Sequence, residues 1–261
     1  MSGHNRQPGN GVTSKLFAVL DAFVDGEPLS ATDVVGRTGL PMSTVHRLLG
    51  DLVGWGGLER DTAAKYTIGT KLWRLGTLSP GHRDLREIAS PFMHDLAVGT
   101  RENVHLAVID GDDALFIEKL SSHDSLPVRS HVGARMPLHA TGAGKALLAF
   151  ASPAYQRRFL AERLPRLTHK TMTVPGLLAR NLTTIRGTGI AVAYEEMCLG
   201  SVSVAAPITD AEGNAIAALS VVSRSSPHVP DRFGPAVRTA ANGISREVHR
   251  FRHVGSRRQP A

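Results

Sequence analysis

Two short stretches of the chain hold residue types at spacings suited to chemistry. The first is Ser43-Thr44-Val45-His46-Arg47, inside LSATDVVGRTGLPMSTVHRLLGDLVG (29–54). On a helix turning roughly 100° per residue, Val45, Leu48, Leu49 and Leu52 share a narrow sector. Ser43, Arg47, Gly50 and Asp51 face the other way, with Thr44 and His46 on the flanks. Small hydroxyls and one long cation opposite a leucine edge are the groups that meet phosphates and base edges in a major groove. A plain helical hairpin with a solvated outer face fits the same wheel.

The second stretch is Thr141-Gly142-Ala143-Gly144-Lys145. A phosphate loop needs a glycine five residues before its Gly-Lys pair and a Ser or Thr after the lysine. His139 and Ala146 stand there instead, which disfavours a nucleotide. The expected structure is a glycine turn entering a helix, its bare N–H groups facing a pocket and able to hold a carboxylate. The alternative is close packing of the loop on a sheet, a second use of glycine.

Other constellations are weaker. His249 and His253 stand at i and i+4, but no Cys or carboxylate at usable spacing completes a metal set. Glu195-Glu196, read as strand neighbours, point to opposite faces and cannot act as an acid–base pair. There is no Gly-x-Ser-x-Gly elbow for an acyl-transfer nucleophile. Cys198 lacks a local His or Lys to activate it and reads as a small, half-buried residue. No metal or cofactor is expected.

The elements that position these groups follow from pattern. Ser14 to Val24 carries Leu16, Phe17, Leu20 and Phe23 at helical spacing. Ser30 is placed to cap a second helix, with Asp33 completing a near capping box. Gly39-Leu40-Pro41 breaks that helix from the next. Two alternating segments between Leu58 and Ile68, around a polar tip that includes Lys65, read as a β-hairpin. Helix, helix-turn-helix and hairpin make a winged helix-turn-helix. Gly, Ser and Pro cluster at 76–81, where the domain boundary is placed. Ser90-Pro91 reads as a cap and first helical residue, opening a helix with Met93 and Leu96.

Strands are expected at Val104–Ile109 and Ala114–Lys119, joined by Asp110-Gly111-Asp112-Asp113. Further strands are expected at Ile190–Tyr194, Val202–Ile208 and Ala215–Val222. Helical patterns occupy Gly142–Phe150, Pro153–Leu160, Leu177–Arg186 and Asp231–Phe251. The class is α+β.

Several blocks, in order, carry a resemblance: LSATDVVGRTGLPMSTVHRLL, YTIGTKLWRLG, ENVHLAVIDGDDALFIEKL, VGARMPLHATGAGKALLA, YEEMCLGSVSVAAPITDAEGNAIAALSV and the late ISRE. From about Lys15 to Arg246 the chain resembles the IclR (isocitrate lyase regulator type) transcription factors. The resemblance implies a winged helix-turn-helix (12–75), a linker helix region with dimer contacts (76–100) and a GAF-like antiparallel-sheet effector domain (101–252). It implies a palindromic double-stranded DNA operator, a homodimer or tetramer, and a small organic-acid effector. Ser43, Thr44, His46, Arg47 and Lys65 are then the DNA-contacting set.

The family's effector contacts map onto backbone at Gly142 and Ala143, and onto Ala193, Ser203, Ser220 and Val222 of the late strands. Val128 and Met136 map onto apolar pocket walls. Members that bind small oxo- or hydroxy-acids tend to have aspartate in place of Ala193 and can have serine in place of Val222. Two polar partners are therefore missing, which favours a larger, partly apolar acid.

Composition sets outer bounds. The 261 residues suffice for two domains, and 42% hydrophobic content supports ordinary cores. The net charge of +7 is no argument for DNA by itself. Residues 1–75 hold eight Lys/Arg against seven Asp/Glu, and five arginines crowd the stretch from Arg246 to the end. One cysteine fits a reducing compartment. The opening MSGHNRQPGN lacks an apolar core, so a disordered tail is expected rather than a signal peptide or membrane span, and the cytoplasm is the expected location. A small-molecule enzyme with an accessory winged helix is the competing class; it needs a nucleophile, base or metal set that does not emerge. A winged helix used only for assembly would show no specific DNA affinity.

Overall fold

A computed structural model describes residues 11–123, 125–128 and 130–256, without the side chains of 80, 81 and 252–256. The expected N-terminal tail lies outside the described residues. The chain divides into two compact units between Arg83 and Asp84.

In the first unit, α1 (Val12–Asp21), α2 (Ala31–Thr38) and α3 (Met42–Trp55) surround one core, followed by β1 (Leu58–Arg60) and β2 (Tyr66–Ile68). Val19, Phe23, Val34, Val45, Leu48, Leu49, Leu52 and Leu58 bury together. The capping box at α2 is complete: the Asp33 N–H donates to Ser30 Oγ (3.2 Å) and the Ser30 N–H donates to Asp33 Oδ2 (2.8 Å). Gly39, at φ 70°, ends that helix in the left-handed region that favours glycine. The hairpin pairs Leu58 with Ile68 and Arg60 with Tyr66. Leu29 adds a bridge to Tyr66, exchanging hydrogen bonds of 3.0 and 2.7 Å, which ties the hairpin to the segment before α2.

Around the linker the structure adds one helix and corrects the start of another. Residues after the hairpin form a helix, α4 (Thr70–Thr77), to which the sequence pattern assigns no element. The next helix, α5 (Pro80–Thr100), runs straight through Pro91, and Ser90 is not its cap. Pro91 cannot donate the amide bond of a helix interior. Leu85, Ala89, Met93 and Leu96, at helical spacing and all buried, nonetheless keep one face on the core, and that burial outweighs one missing bond.

The second unit is built on a six-stranded antiparallel sheet, ordered β5-β4-β3-β8-β7-β6. Its strands are β3 (Asn103–Asp110), β4 (Asp113–Leu120), β5 (Arg135–Pro137), β6 (Ala191–Tyr194), β7 (Ser201–Thr209) and β8 (Ala215–Arg224). The short β5 escapes sequence reading because three residues give no period. Strand alternation serves two cores. Val104, Leu106, Val202, Val204, Leu219 and Val221 pack with α5 and the long α9 (Val229–Ser256). Ala107, Phe116, Ala205 and Ala218 pack on the other side with α6 (Gly142–Ala149), α7 (Pro153–Ala161) and α8 (Pro175–Thr188). This is the α+β arrangement expected.

One irregularity matters for the site. Leu106 opposes Glu118 while Ala107 opposes Phe116, so Ile117 is an extra residue on β4. The bulge shifts facing along β4. Ile117 joins the α5/α9 core and Glu118 meets Arg86 of α5 (2.7 Å), while Lys119 turns to the α6 side, opposite His105.

Candidate nucleic-acid interface and ligand pocket

On α3, Val45, Leu48, Leu49 and Leu52 are buried, while Ser43, His46 and Arg47 are exposed and Thr44 is half-buried. The division of faces is the one the sequence predicts. Pro41 precedes the helix without a side-chain cap, so first-turn N–H groups stay open to an anion. Arg47 is not free: its guanidinium lies 3.2 Å from Asp51 one turn along. Both groups are more than half exposed, so the pair is worth only about 0.3–0.5 kcal/mol and DNA can displace it. Lys65 is exposed at the hairpin tip, where its backbone N–H donates to Asp61 Oδ1 (2.8 Å).

In the second unit Ser203 and Ser220 lie on the sheet face beneath α6, whose first residues are Gly142 and Ala143. Strand register places Asn103, Val222, Ser203 and Ala193 in one row across β3, β8, β7 and β6. The adjacent row is Lys119, His105, Ser220 and Ala205. The start of α6 closes on the first row: the Gly142 N–H donates to Ser203 Oγ at 2.8 Å. Thr141 caps the helix through Gly144 N–H (3.0 Å). Ala143, at the second helical position, has no intrahelical acceptor for its N–H by geometry. Met136 on β5 is half-buried against the same core, opposite Ala114.

The close-packing reading of the glycines holds. A Cβ on Gly142 would stand 2.6 Å from Ser203 Oγ, and one on Gly144 would stand 2.4 Å from the Leu138 carbonyl oxygen. Close approach requires glycine at both positions, and that approach is what brings the α6 amides to the sheet.

Four polar groups here were missed by sequence reading. Asn103, buried, donates to the Leu126 carbonyl (2.8 Å) and accepts from Ser121 Oγ (2.8 Å) and Ser125 Oγ (3.2 Å). His105, also buried, shares a 2.7 Å hydrogen bond with Ser130 Oγ through Nε2. The Lys119 ammonium donates to the Ser130 carbonyl (2.6 Å). These bonds hold the segment after β4 against the sheet, and half-buried Val128 belongs to that segment. Burial pushes the His105 imidazole down to about 3, with the Lys119 charge adding to it, so the ring is neutral at physiological pH. Burial also lowers Lys119. The available signal was alternation in NVHLAV: Asn103 and His105 sit on the inward face of an otherwise apolar strand.

Lys145 is the fourth. It has no exposed surface and is ion-paired with Glu196, which also accepts the Met172 N–H (3.3 Å). Burial depresses the lysine, and the Glu196 charge opposes that shift. Glu195 and Glu196 do diverge, but not as strand neighbours, because β6 ends at Tyr194. Glu195, at φ 51°, leaves the sheet to pair with Lys170 and accept the Gly200 N–H (2.9 Å). Cys198 lies in the same connection and is exposed rather than half-buried, since that loop projects past the end of the sheet strands. His249 Nε2 is engaged with the Thr209 carbonyl (3.0 Å), and the His253 side chain lies outside the described residues. Among the described residues no group of three metal-ligating side chains occurs.

Residues 79–246 match the model of the bacterial transcriptional regulator IclR C-terminal domain, and residues 12–62 match the IclR helix-turn-helix domain. The chain belongs to the IclR family. It is a DNA-binding transcriptional regulator. The HTH-type regulator BhcR of Paracoccus denitrificans is 36% identical over 209 residues, 79% of this chain and 75% of BhcR. The repressor AllR of Escherichia coli is 32% identical over 225 residues, 84% and 83% of the two chains. Among solved structures, an IclR homologue of Microbacterium hydrocarbonoxydans complexed with 4-hydroxybenzoate superposes with a TM-score of 0.81. It shares 33% identity and covers 90% of this chain and 98% of its own. The α3 face and the α6–sheet site thus belong to an IclR-family regulator. No helix in the described residues is long and apolar enough to cross a membrane.

Proposed function

We propose that this IclR-family protein is a cytoplasmic, non-enzymatic repressor that binds a palindromic operator as a dimer or dimer of dimers and is governed by an aromatic or similarly large, partly apolar carboxylic acid. A single winged helix reads a short half-site, so selectivity calls for two related by the protein's own two-fold axis. Ser43 and Thr44 hold phosphate, His46 and Arg47 reach base edges, and Lys65 of the hairpin adds a backbone contact.

The observation that carries the effector class is the row beside the Gly142–Ser203 hydrogen bond. Ala193 and Val222 flank Ser203 where hydrogen-bonding side chains would serve a compact oxo-acid. A carboxylate displaces the Ser203 hydroxyl at the Gly142 N–H and takes the Ala143 N–H beside it, with Ser220 in reach. Val128 and Met136 provide apolar wall. Burying a second oxygen-rich end against alanine and valine would cost about 1–3 kcal/mol per unmatched group. The Microbacterium relative solved with 4-hydroxybenzoate supports the aromatic choice. Acid binding acts on DNA occupancy through unequal affinity for two arrangements of the protein.

Calorimetric titration of the full chain tests the reading. Benzoate and 4-hydroxybenzoate are expected to bind, and glyoxylate and pyruvate are not; tight binding of the two small acids alone would refute it. Light scattering is expected to show at least a dimer at micromolar concentration.

A further inference from the structure

His105 Nδ1 is a buried side-chain nitrogen with no hydrogen-bond partner, one of two such side-chain atoms among the described residues. The residue is 1% exposed, and its other nitrogen is spent on Ser130. A buried polar atom without a partner is the exception in folded proteins. His105 also lies where a ligand would end. It is directly opposite Ser220, on the α6 side of the sheet, two strands away from Ser203 and one same-face step along. At ordinary sheet spacings that separates the two Cα positions by roughly 12 Å, a span longer than one benzoate ring. Phe116 stands edge-on to the imidazole at 5.2 Å, an apolar flank for that ring.

We propose that His105 is a ligand-binding residue whose Nδ1 hydrogen-bonds a hydroxyl at the end of the effector ring remote from its carboxylate. This rests on the aromatic-acid reading above and narrows it to acids that carry such a hydroxyl. A neutral imidazole presents Nδ1 either as donor or as acceptor, depending on its tautomer. A hydroxyl matches both, because it donates and accepts. A second carboxylate matches only the donor form, and a bare ring edge leaves Nδ1 unpaired. The residue therefore supplies, from β3, a polar contact that Ala193 and Val222 no longer provide from β6 and β8.

The test is calorimetric titration of the full chain with benzoate and with 4-hydroxybenzoate. The wild type is expected to prefer the hydroxylated acid by about 3- to 10-fold, the range of one net hydrogen bond. In His105→Phe that ratio is expected to fall to about one, whatever the change in benzoate affinity itself. Ser130→Ala, which removes only the Nε2 partner, keeps the preference. A His105→Phe protein that retains the wild-type ratio overturns the proposal, as does a wild type that binds both acids equally, and in either case the aromatic-acid reading stands. A wild type that binds neither acid overturns both. Should His105→Phe fail to fold, nitrogen NMR of the wild-type histidines decides. The His105 Nδ1 resonance is expected to move with 4-hydroxybenzoate and not with benzoate, and an equal response to the two acids overturns the assignment.

Discussion

Lys145 and Glu196 form an ion pair sealed between α6 and the connection after β6, with side-chain exposures of only 1% and 8%. The pair joins the helix whose first turn meets Ser203 to the segment that follows Ala193, so it fixes α6 and the end of β6 relative to each other. Removing one partner leaves a buried charge without compensation. Lys145→Ala or Glu196→Ala is expected to cost about 3–5 kcal/mol, whereas Lys145→Met with Glu196→Leu recovers most of that loss. Urea unfolding of the three variants measures the difference, and single variants as stable as the double one would deny the pair this role.

His105 makes stability depend on pH. Its folded value, about 3, lies below the ordinary 6.5. Between those values the unfolded chain binds a proton that the folded chain does not, so stability falls as pH falls through that window. The slope from this residue is at most about 1.4 kcal/mol per pH unit. His105→Phe is expected to flatten the decline between pH 6 and 4 relative to wild type; parallel curves would show that the imidazole is not held neutral.

Arg47 is the long cation of the exposed α3 face. Arg47→Ala is expected to weaken operator binding by about 1–3 kcal/mol and relax selectivity at one position if the contact is a bidentate one to guanine. Asp51→Ala releases Arg47 from its pair and is expected to leave affinity equal or higher. Gel-shift titrations on operator and scrambled DNA separate the effects, and uniform weakening on both would assign Arg47 to phosphate.

The two glycines of the α6 turn differ from ordinary turn glycines. Gly144→Ala would push a methyl into the Leu138 backbone, and Gly142→Ala into Ser203. Each is expected to cost about 1–3 kcal/mol by overpacking. Adding Ser203→Ala relieves Gly142→Ala only in part, because the Ser203 carbonyl oxygen would still stand at 3.0 Å. Denaturant midpoints for the single and double variants give the answer.

Ala193 is buried at 4% exposure in the row beside Ser203. Ala193→Asp brings a charge that needs partners into an apolar wall. Benzoate binding is expected to weaken at least tenfold, and calorimetry reads it directly; unchanged affinity would move the ring away from β6.

Much of this protein was legible in its sequence because the deciding signals are local. The leucine edge of α3, the Ser30–Asp33 box and the strand alternation from Val104 or Val202 each sit within one element, where a periodicity of 3.6 or 2 states which face is buried. Family blocks placed Gly142, Ala143, Ser203 and Ser220, and the fold gathers those residues at one place. Tertiary structure decided what no local period contains. Pro91 reads as a helix start, yet α5 passes through it because Leu85, Ala89 and Met93 share a core. Nothing local marks Lys145 as buried; its burial comes with Glu196, fifty-one positions later, as its ion-pair partner. The facing of Lys119 depends on a bulge at Ile117, and the isolation of His105 Nδ1 depends on what β8, Phe116 and Ser130 surround it with. Burial and partnership are properties of juxtaposed strands and helices, so they exist only once the chain is folded.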